Sequence, residues 1–204
     1  AGSEHVDNLV MIGTPNFGSI DMLVSLVEGY RPGLFLPHYP PAVLGSMPSL
    51  YQTLPRSRHH PVLDENALPV KDILDPAFWI QKKWGLANPE QDHFLPLLFP
   101  DIDSPENRRE AAIIHLRKVL YRAKQFTTAM DIPADPPHPL RMLLVAGDSE
   151  KTDKTVQLDA NGRLTVIETG PGDDTVLRSS ALGDDRLIDN PNSRLISPIQ
   201  WSQV

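Results

Sequence analysis

Apolar positions along the chain form two strand-rich flanks around a middle that is interrupted by prolines. In the first flank, residues 6–12 end in a β-branched and apolar run that is typical of a buried strand. Residues 13–18 break this run, and apolar positions at helical spacing then follow from a predicted cap at Ser19 to a predicted end at Gly29. This order of strand, loop and helix is half of a βαβ unit.

The middle of the chain combines prolines with helical patterns. Seventeen of the 21 prolines fall within residues 32–139. The sequence SPE at 104–106 is a helix start signal, and the proline-free window after it has apolar positions three and four residues apart. This pattern predicts a long helix over about 105–130. A shorter helix is predicted over 75–84, with Gly85 at its end.

The second flank returns to strand patterns. Residues 141–146 form a short apolar run, and the sequence NG at 161–162 lies between two alternating segments, which predicts a β-hairpin. We therefore expect a mainly parallel sheet that contains the strands at 6–12 and 141–146, together with this hairpin. Residues 194–204 indicate the approach to another strand.

Composition and charge exclude several classes of protein. Hydrophobic residues make up 40% of the chain, which excludes extensive disorder, and the net charge of −7 argues against a general nucleic-acid binder. No apolar run is long enough for a transmembrane segment, and no cysteine is present to form a disulfide or a thiolate metal site. None of the seven histidines has the spacing of a zinc site, so no metal and no cofactor are expected. The basic residues at 56–60 are interpreted as a solvated loop.

Two glycine-containing loops carry the candidate chemistry. The sequence GTPNFGS at 13–19 follows a strand of parallel type, and ligands of open α/β sheets bind at such strand ends. The alternative interpretation is a tight turn between a strand and a helix. The sequence GDDTV at 172–176 places two acids in a turn after a strand. Such an acid either caps the turn backbone or orients a catalytic imidazole.

Four segments of the chain, taken in order, resemble a known family. They read VDNLVMIGTPNFGS at 6–19, PSLYQTLPR at 48–56, LLVAGDSEKTDKTV at 143–156 and GDDTVLRSSAL at 172–182. Together they are similar to lipase-type α/β-hydrolases of the lecithin:cholesterol acyltransferase family, which includes lysosomal phospholipases. The resemblance implies the α/β fold class, with a partial α/β-hydrolase sheet and an inserted, mostly helical cap. It divides the chain into hydrolase core at 1–29 and 141–204 and a cap at 30–140.

The resemblance also implies a site and a substrate class. It places the acid of a Ser-Asp-His triad on Asp173, whereas Asp174 stands where the family usually has glycine and is expected to cap the turn or to face solvent. The implied activity is that of a serine hydrolase or acyltransferase on lipid or other acyl esters, with no cofactor. The cap is expected to contact a lipid surface. Its large apolar side chains are expected to form the core of the cap, which is the commoner case, or else to line an acyl pocket. These are Phe35, Leu36, Phe78, Trp79, Trp84, Phe94 and Phe99.

The triad is incomplete within these residues. In this fold the order along the chain is Ser, Asp, His, yet no GxSxG motif precedes residue 6 and no histidine follows His138. We therefore expect the chain to be a middle-to-late piece of the enzyme and to show no ester turnover by itself, since the nucleophile and the base are missing. The alternative is a complete, non-catalytic α/β module that binds an acyl ligand or a protein partner.

Overall fold

The computed structural model describes residues 5–132 and 138–183. Within these ranges the chain forms a mixture of helices and small sheets, which confirms the expected α/β class at this level. The strands are β1 (Asn8–Ile12), β2 (Val62–Leu63), β3 (Arg141–Val145), β4 (Glu150–Leu158) and β5 (Leu164–Gly172). The helices are α1 (Ile20–Glu28), α2 (Pro41–Gly45), α3 (Pro48–Gln52), α4 (Pro76–Lys82), α5 (Leu95–Leu98), α6 (Pro105–Met130) and α7 (Arg178–Ala181).

The strands β1 and β3 pair in parallel, and both lie where the apolar runs predict strands. The register joins Asn8 to Arg141 at one end and Ile12 to Val145 at the other. Because parallel strands run in the same direction, their carboxyl ends lie at one edge of the sheet. Gly13 N donates a hydrogen bond to Val145 O across this edge at 2.9 Å.

The strands β4 and β5 form the predicted antiparallel hairpin. In the loop between them, Asp159 Oδ1 accepts hydrogen bonds from Asn161 N at 2.8 Å and from Arg163 N at 2.9 Å. The parallel pair and the hairpin are thus both present as expected, but within the described residues the hairpin does not join β1 and β3. Instead β4 pairs with β2, which comes from the middle of the chain, and forms a second sheet in the order β2-β4-β5.

The helices confirm most of the boundaries that the sequence predicts. α6 has the predicted span, and Ser104 Oγ caps its start by accepting a hydrogen bond from Asn107 N at 3.1 Å. α4 is shorter than predicted, since Lys83 ends it in the left-handed region with a φ of 56° and Gly85 comes two residues later. The helix ends early because Trp84 turns into the core, where its indole N–H donates to Gly162 O at 2.7 Å.

One hydrophobic core joins the three segments into which the sequence was divided. Leu23 of α1, Leu116 and Leu120 of α6, and Val156 of β4 are all buried in the same cluster. Residues of the expected cap therefore pack directly on α1 and on β4. The hydrophobic effect that stabilises the helices of the middle segment thus also holds the two flanks together.

Of the large apolar side chains of the expected cap, the two tryptophans belong to the core, which agrees with the first of the two expected roles. Trp79 and Trp84 are buried in the core, with ring centroids 5.5 Å apart and planes at 89°. Burial of large aromatic rings stabilises the fold, and the edge-to-face geometry is a favourable one. Phe35 and Leu36 are exposed. The other three side chains of this set are partly buried against the core: Phe78, Phe94 and Phe99.

Two further expectations concern membranes and the end of the chain. No helix within 5–132 or 138–183 is long and apolar enough to cross a membrane. The strand expected over 194–204 lies outside the described residues.

Substitutions at two neighbouring positions of α6 test the position of the core. Leu120 is fully buried, whereas Tyr121 has 62% of its surface exposed. We expect Leu120→Ala to lower the free energy of unfolding by about 2–5 kcal/mol, because it leaves a cavity in the core. Tyr121→Ala, the matched control, should change it by about 0.5 kcal/mol or less. Urea denaturation followed by circular dichroism measures both, and equal losses would contradict the described core.

Candidate functional site

The two loops that the sequence singles out lie against each other in the structure. Asn16 Nδ2 donates a hydrogen bond to Ala181 O at 2.8 Å, and both residues are buried. The Ser180 hydroxyl makes two bonds to the same loop, accepting from Phe17 N at 3.1 Å and donating to Gly18 O at 2.7 Å. These contacts fix the loop after β1 on the segment that follows the acidic turn. The described residues therefore contain one site formed by two distant parts of the sequence.

Ser19 has a different role from the predicted one. It occupies the N-cap position of α1, but its side chain does not cap the helix. Its hydroxyl instead donates to Thr175 O in the acidic turn at 2.5 Å, while its backbone N–H bonds Thr53 O at 2.9 Å. The predicted capping bond is replaced because the turn at 172–176 brings an acceptor within reach of the hydroxyl, and no local pattern reveals that acceptor.

Asp173 is held by its own turn at the shared edge of β1 and β3. Its Oδ1 accepts hydrogen bonds from Val176 N at 2.7 Å and from Thr175 N at 3.1 Å. Its Oδ2 lies beside Gly13, where a Cβ atom would come within 2.8 Å of it. A Cβ atom on Gly147 would lie 3.0 Å from Asp173 Cβ. Glycine at both strand ends thus allows this carboxylate to approach the sheet edge.

Asp174 takes part in the acidic turn through its backbone rather than through its side chain. Its φ of 77° lies in the left-handed region, and its N–H donates to Thr152 Oγ1 at 2.9 Å. Its side chain is exposed, in agreement with one of the two expected roles. The other expected role, capping of the turn, belongs to Asp173, because a turn carboxylate usually bonds N–H groups two or three residues ahead of it. A left-handed residue here explains why glycine would also fit this position.

Two further carboxylates make the surroundings of the acidic turn electrostatically negative. Burial raises the pKa of Asp21, and the charges of Asp153 and Asp174 raise it further. Burial likewise raises the pKa of Asp153, again with a contribution from Asp174. Asp21 belongs to the first turn of α1 and Asp153 to β4, so these acids approach the acidic turn from two different elements. The described residues contain no group of three or more candidate ligands arranged to hold a metal ion.

Arg56 supports the loop at 13–19 from the opposite side, a role that the sequence interpretation missed. Its Nη2 donates to Asn16 O at 3.1 Å, and its Nε pairs with Asp131 Oδ1 at 3.1 Å. Its guanidinium carbon lies 5.6 Å from the centroid of the Phe17 ring. The interpretation of 56–60 as a solvated loop is therefore wrong for Arg56, which is 5% exposed. The only signal in the sequence was its place at the end of the PSLYQTLPR segment.

A groove of about 840 Å³ opens beside the two loops. Lys154 and Glu168, which form an ion pair at 2.5 Å, lie on one side of it. Asp173 does not line the groove, although Pro171 near the end of β5 does. A largely apolar groove with a few polar groups suits a ligand that has an apolar part. The apolar lining includes Phe17, Ile20, Leu63 and Leu177.

Comparison with known proteins adds no family assignment to this geometry. Neither a scan against protein-family models nor a search of curated proteins finds a match to the chain. The resemblance to lipase-type hydrolases therefore stays a prediction.

The pH dependence of stability tests the acidic surroundings of the turn. Because the folded state raises the pKa of Asp153, it binds a proton there more tightly than the unfolded chain does. This carboxylate therefore favours the folded state less as the pH rises through its folded pKa. We expect Asp153→Asn to be more stable than the wild type near neutral pH. The difference should shrink as the pH falls through the raised pKa of Asp153 and should vanish well below about 4, where the carboxylate is protonated in both states.

Urea denaturation at several pH values measures this effect. Asp101→Asn, at an exposed position in the turn before α6, is the control and should show no such gain at neutral pH. A destabilised Asp153→Asn variant at neutral pH would show that the carboxylate is favourably solvated or paired, contrary to the described site.

Proposed function

We propose that this chain supplies the acid of a Ser-Asp-His triad in a serine hydrolase or acyltransferase that acts on lipid or other acyl esters. Asp173 is that acid. The observation that carries the proposal is its position at the carboxyl ends of two parallel strands, with Oδ1 held by two backbone N–H groups and Oδ2 turned toward Gly13. Residues that act on ligands in open α/β sheets lie at such strand ends.

The held carboxylate suits the role of a triad acid. In such a triad the serine attacks the ester carbonyl and the imidazole takes its proton, while the acid orients the imidazole and stabilises its positive charge. Because Val176 N and Thr175 N fix Oδ1 of Asp173, the carboxylate keeps one orientation without help from the imidazole. Oδ2 is then available to accept the hydrogen bond from an imidazole N–H. A fixed acceptor of this kind lowers the cost of reorganisation during the reaction.

The proposal assigns the other two members of the triad to polypeptide outside these 204 residues. The chain contains no GxSxG motif and no histidine after His138. In α/β-hydrolases the nucleophile precedes the acid and the histidine follows it. The serine is accordingly expected on a strand that precedes β1, and the histidine after the last residue of this chain.

The fold that goes with this function is an α/β-hydrolase sheet with the segment 30–140 inserted as a cap. Two observations support it. The strands β1 and β3 are neighbours in parallel although the whole middle segment separates them. Apolar side chains on β1 are exposed, among them Val10 and Ile12. Further strands and helices of a hydrolase sheet would bury such side chains, and their burial would be favourable.

The second candidate function is that of a non-catalytic module that binds an apolar ligand or a protein partner. The groove of about 840 Å³ favours it, because a groove can serve binding without any triad. The two candidates differ in what Asp173 does. In a binding module its carboxylate only caps a turn, and asparagine, which also has a carbonyl oxygen, would replace it at little cost.

Two single substitutions in the full-length enzyme separate Asp173 from its neighbour. Asp173→Asn should lower kcat for a short-chain ester on the order of 10⁴-fold, because the amide favours the wrong imidazole tautomer while the turn keeps its shape. Asp174→Asn is the matched control and should cost about tenfold or less, since its side chain faces solvent. If Asp174→Asn shows the large loss of kcat instead, the triad acid is Asp174 and not Asp173. If neither variant loses activity, Asp173 only caps the turn and the proposal fails.

A further inference from the structure

A closed loop projects between α1 and α2, and we call residues 30–39 the apolar loop. Its base is a pair of reciprocal backbone hydrogen bonds, from Tyr30 N to Tyr39 O at 2.9 Å and from Tyr39 N to Tyr30 O at 2.7 Å. Inside the loop, Arg31 Nη1 donates to Leu36 O at 3.0 Å, and Leu36 N donates to Gly33 O at 3.1 Å. These bonds give the loop a defined shape, so its tip is presented to the outside rather than folded onto the core.

The tip of the apolar loop consists of three consecutive large apolar residues. Leu34 is 86% exposed, Phe35 96% and Leu36 51%. Leu34 and Phe35 are the most exposed of the large apolar side chains within the described residues. Single exposed apolar side chains are common on protein surfaces, but three in a row on a shaped loop indicate a surface that another apolar phase covers.

The charge around the apolar loop indicates what kind of surface covers it. Residues 29–63 contain no aspartate and no glutamate, although the whole chain has a net charge of −7. Arg31 and His38 flank the apolar tip on either side. The preferred surface therefore has an apolar interior and an anionic face, a combination that anionic lipids provide. A second copy of this chain, whose groove is also largely apolar, is the competing occupant, and self-association in solution distinguishes it from a lipid surface.

The tyrosines at the base of the loop fit the same surface. Tyr30 and Tyr39 are both partly exposed, at the point where the loop leaves the body of the protein. Tyrosine has an apolar ring and a polar hydroxyl, and it is enriched where lipid tails meet head groups. From tip to base the loop thus has apolar side chains, one cationic side chain, Arg31, and two amphipathic tyrosines, an order that suits a bilayer surface.

We propose that the apolar loop inserts its tip, Leu34, Phe35 and Leu36, into a lipid surface that carries anionic head groups. The contact with a lipid surface that was expected of the whole cap is thereby assigned to one loop. The inference rests on the proposed function in one respect, because a lipid surface would present the ester substrates of the proposed enzyme. The binding itself needs no turnover and is measured separately.

Co-sedimentation of the 204-residue chain with vesicles tests the insertion. The vesicles contain equal parts of phosphatidylcholine and phosphatidylglycerol, and the test variant carries both Leu34→Ser and Phe35→Ser. We expect its partition coefficient to fall by about 10-fold or more, because two apolar side chains no longer enter the lipid. Leu68→Ser is the matched control, since Leu68 is also an exposed leucine in a turn but lies among Asp64 and Glu65. It should bind as the wild type does.

The depth of insertion provides a second readout. In the variant Phe35→Trp, brominated acyl chains in the vesicles should quench the added tryptophan fluorescence, and the parent chain, with its own three tryptophans, gives the reference. Vesicles of phosphatidylcholine alone should bind more weakly, because they lack the anionic head groups. Circular dichroism spectra that match the parent show that each variant is folded.

Three results would overturn the inference. The first is equal partition of the wild type and the double variant, and the second is the absence of quenching in Phe35→Trp. The third is self-association in solution that disappears in the double variant while no form binds vesicles, which would assign the loop to a second copy of the chain. If binding to vesicles depends on the loop but kcat is unchanged in Asp173→Asn, the inference of lipid binding stands and the proposed hydrolase function fails.

Discussion

The contact between the loop after β1 and the segment after β5 fixes the geometry on which the site depends. Asn16 and Ser180 are buried there, and their polar groups bond backbone atoms of the opposite segment. A net contribution of about 1 kcal/mol for each such bond is small, but leaving one partner buried and unbonded would cost more. The bonds therefore specify one arrangement of the two segments. Arg56 strengthens this arrangement, because its Nη2 donates to Asn16 O while its Nε pairs with Asp131 at the end of α6.

This arrangement gives the molecule two electrically different regions. Asp21 and Asp153 lie near Asp174, whose charge raises the pKa of both carboxylates, so this side of the acidic turn is negative. Under the proposed function this negative region would stabilise an imidazolium, as triad chemistry requires. The apolar loop, by contrast, belongs to a stretch without acidic residues. A surface of anionic lipids would attract the second region and repel the first, which favours one orientation of the protein on the lipid.

The sequence predicts the elements that depend on local pattern and misses those that depend on distant contacts. The cap and apolar spacing at 104–130 predict α6, and the apolar runs predict β1 and β3. The pairing of β4 with β2 could not be predicted, because β2 has only two residues and the partners are far apart in the chain. Ser19 has the residue type of a helix cap, yet its hydroxyl donates to Thr175 O in the acidic turn and accepts no hydrogen bond from the helix. Arg56 is of a residue type that usually lies at the surface. Its partners, Asp131 and Asn16 O, are distant in the sequence, so no local pattern indicates that they bond it.

The central claim is that Oδ2 of Asp173 accepts a hydrogen bond from the catalytic imidazole. Proton NMR of the full-length enzyme tests it most directly, because an imidazole N–H bonded to a carboxylate is strongly deshielded and resonates far downfield of the amide protons. We predict such a resonance in the wild type and in Asp174→Asn, and its loss in Asp173→Asn. A downfield resonance that persists in Asp173→Asn would show that another acid holds the imidazole, and would contradict the account.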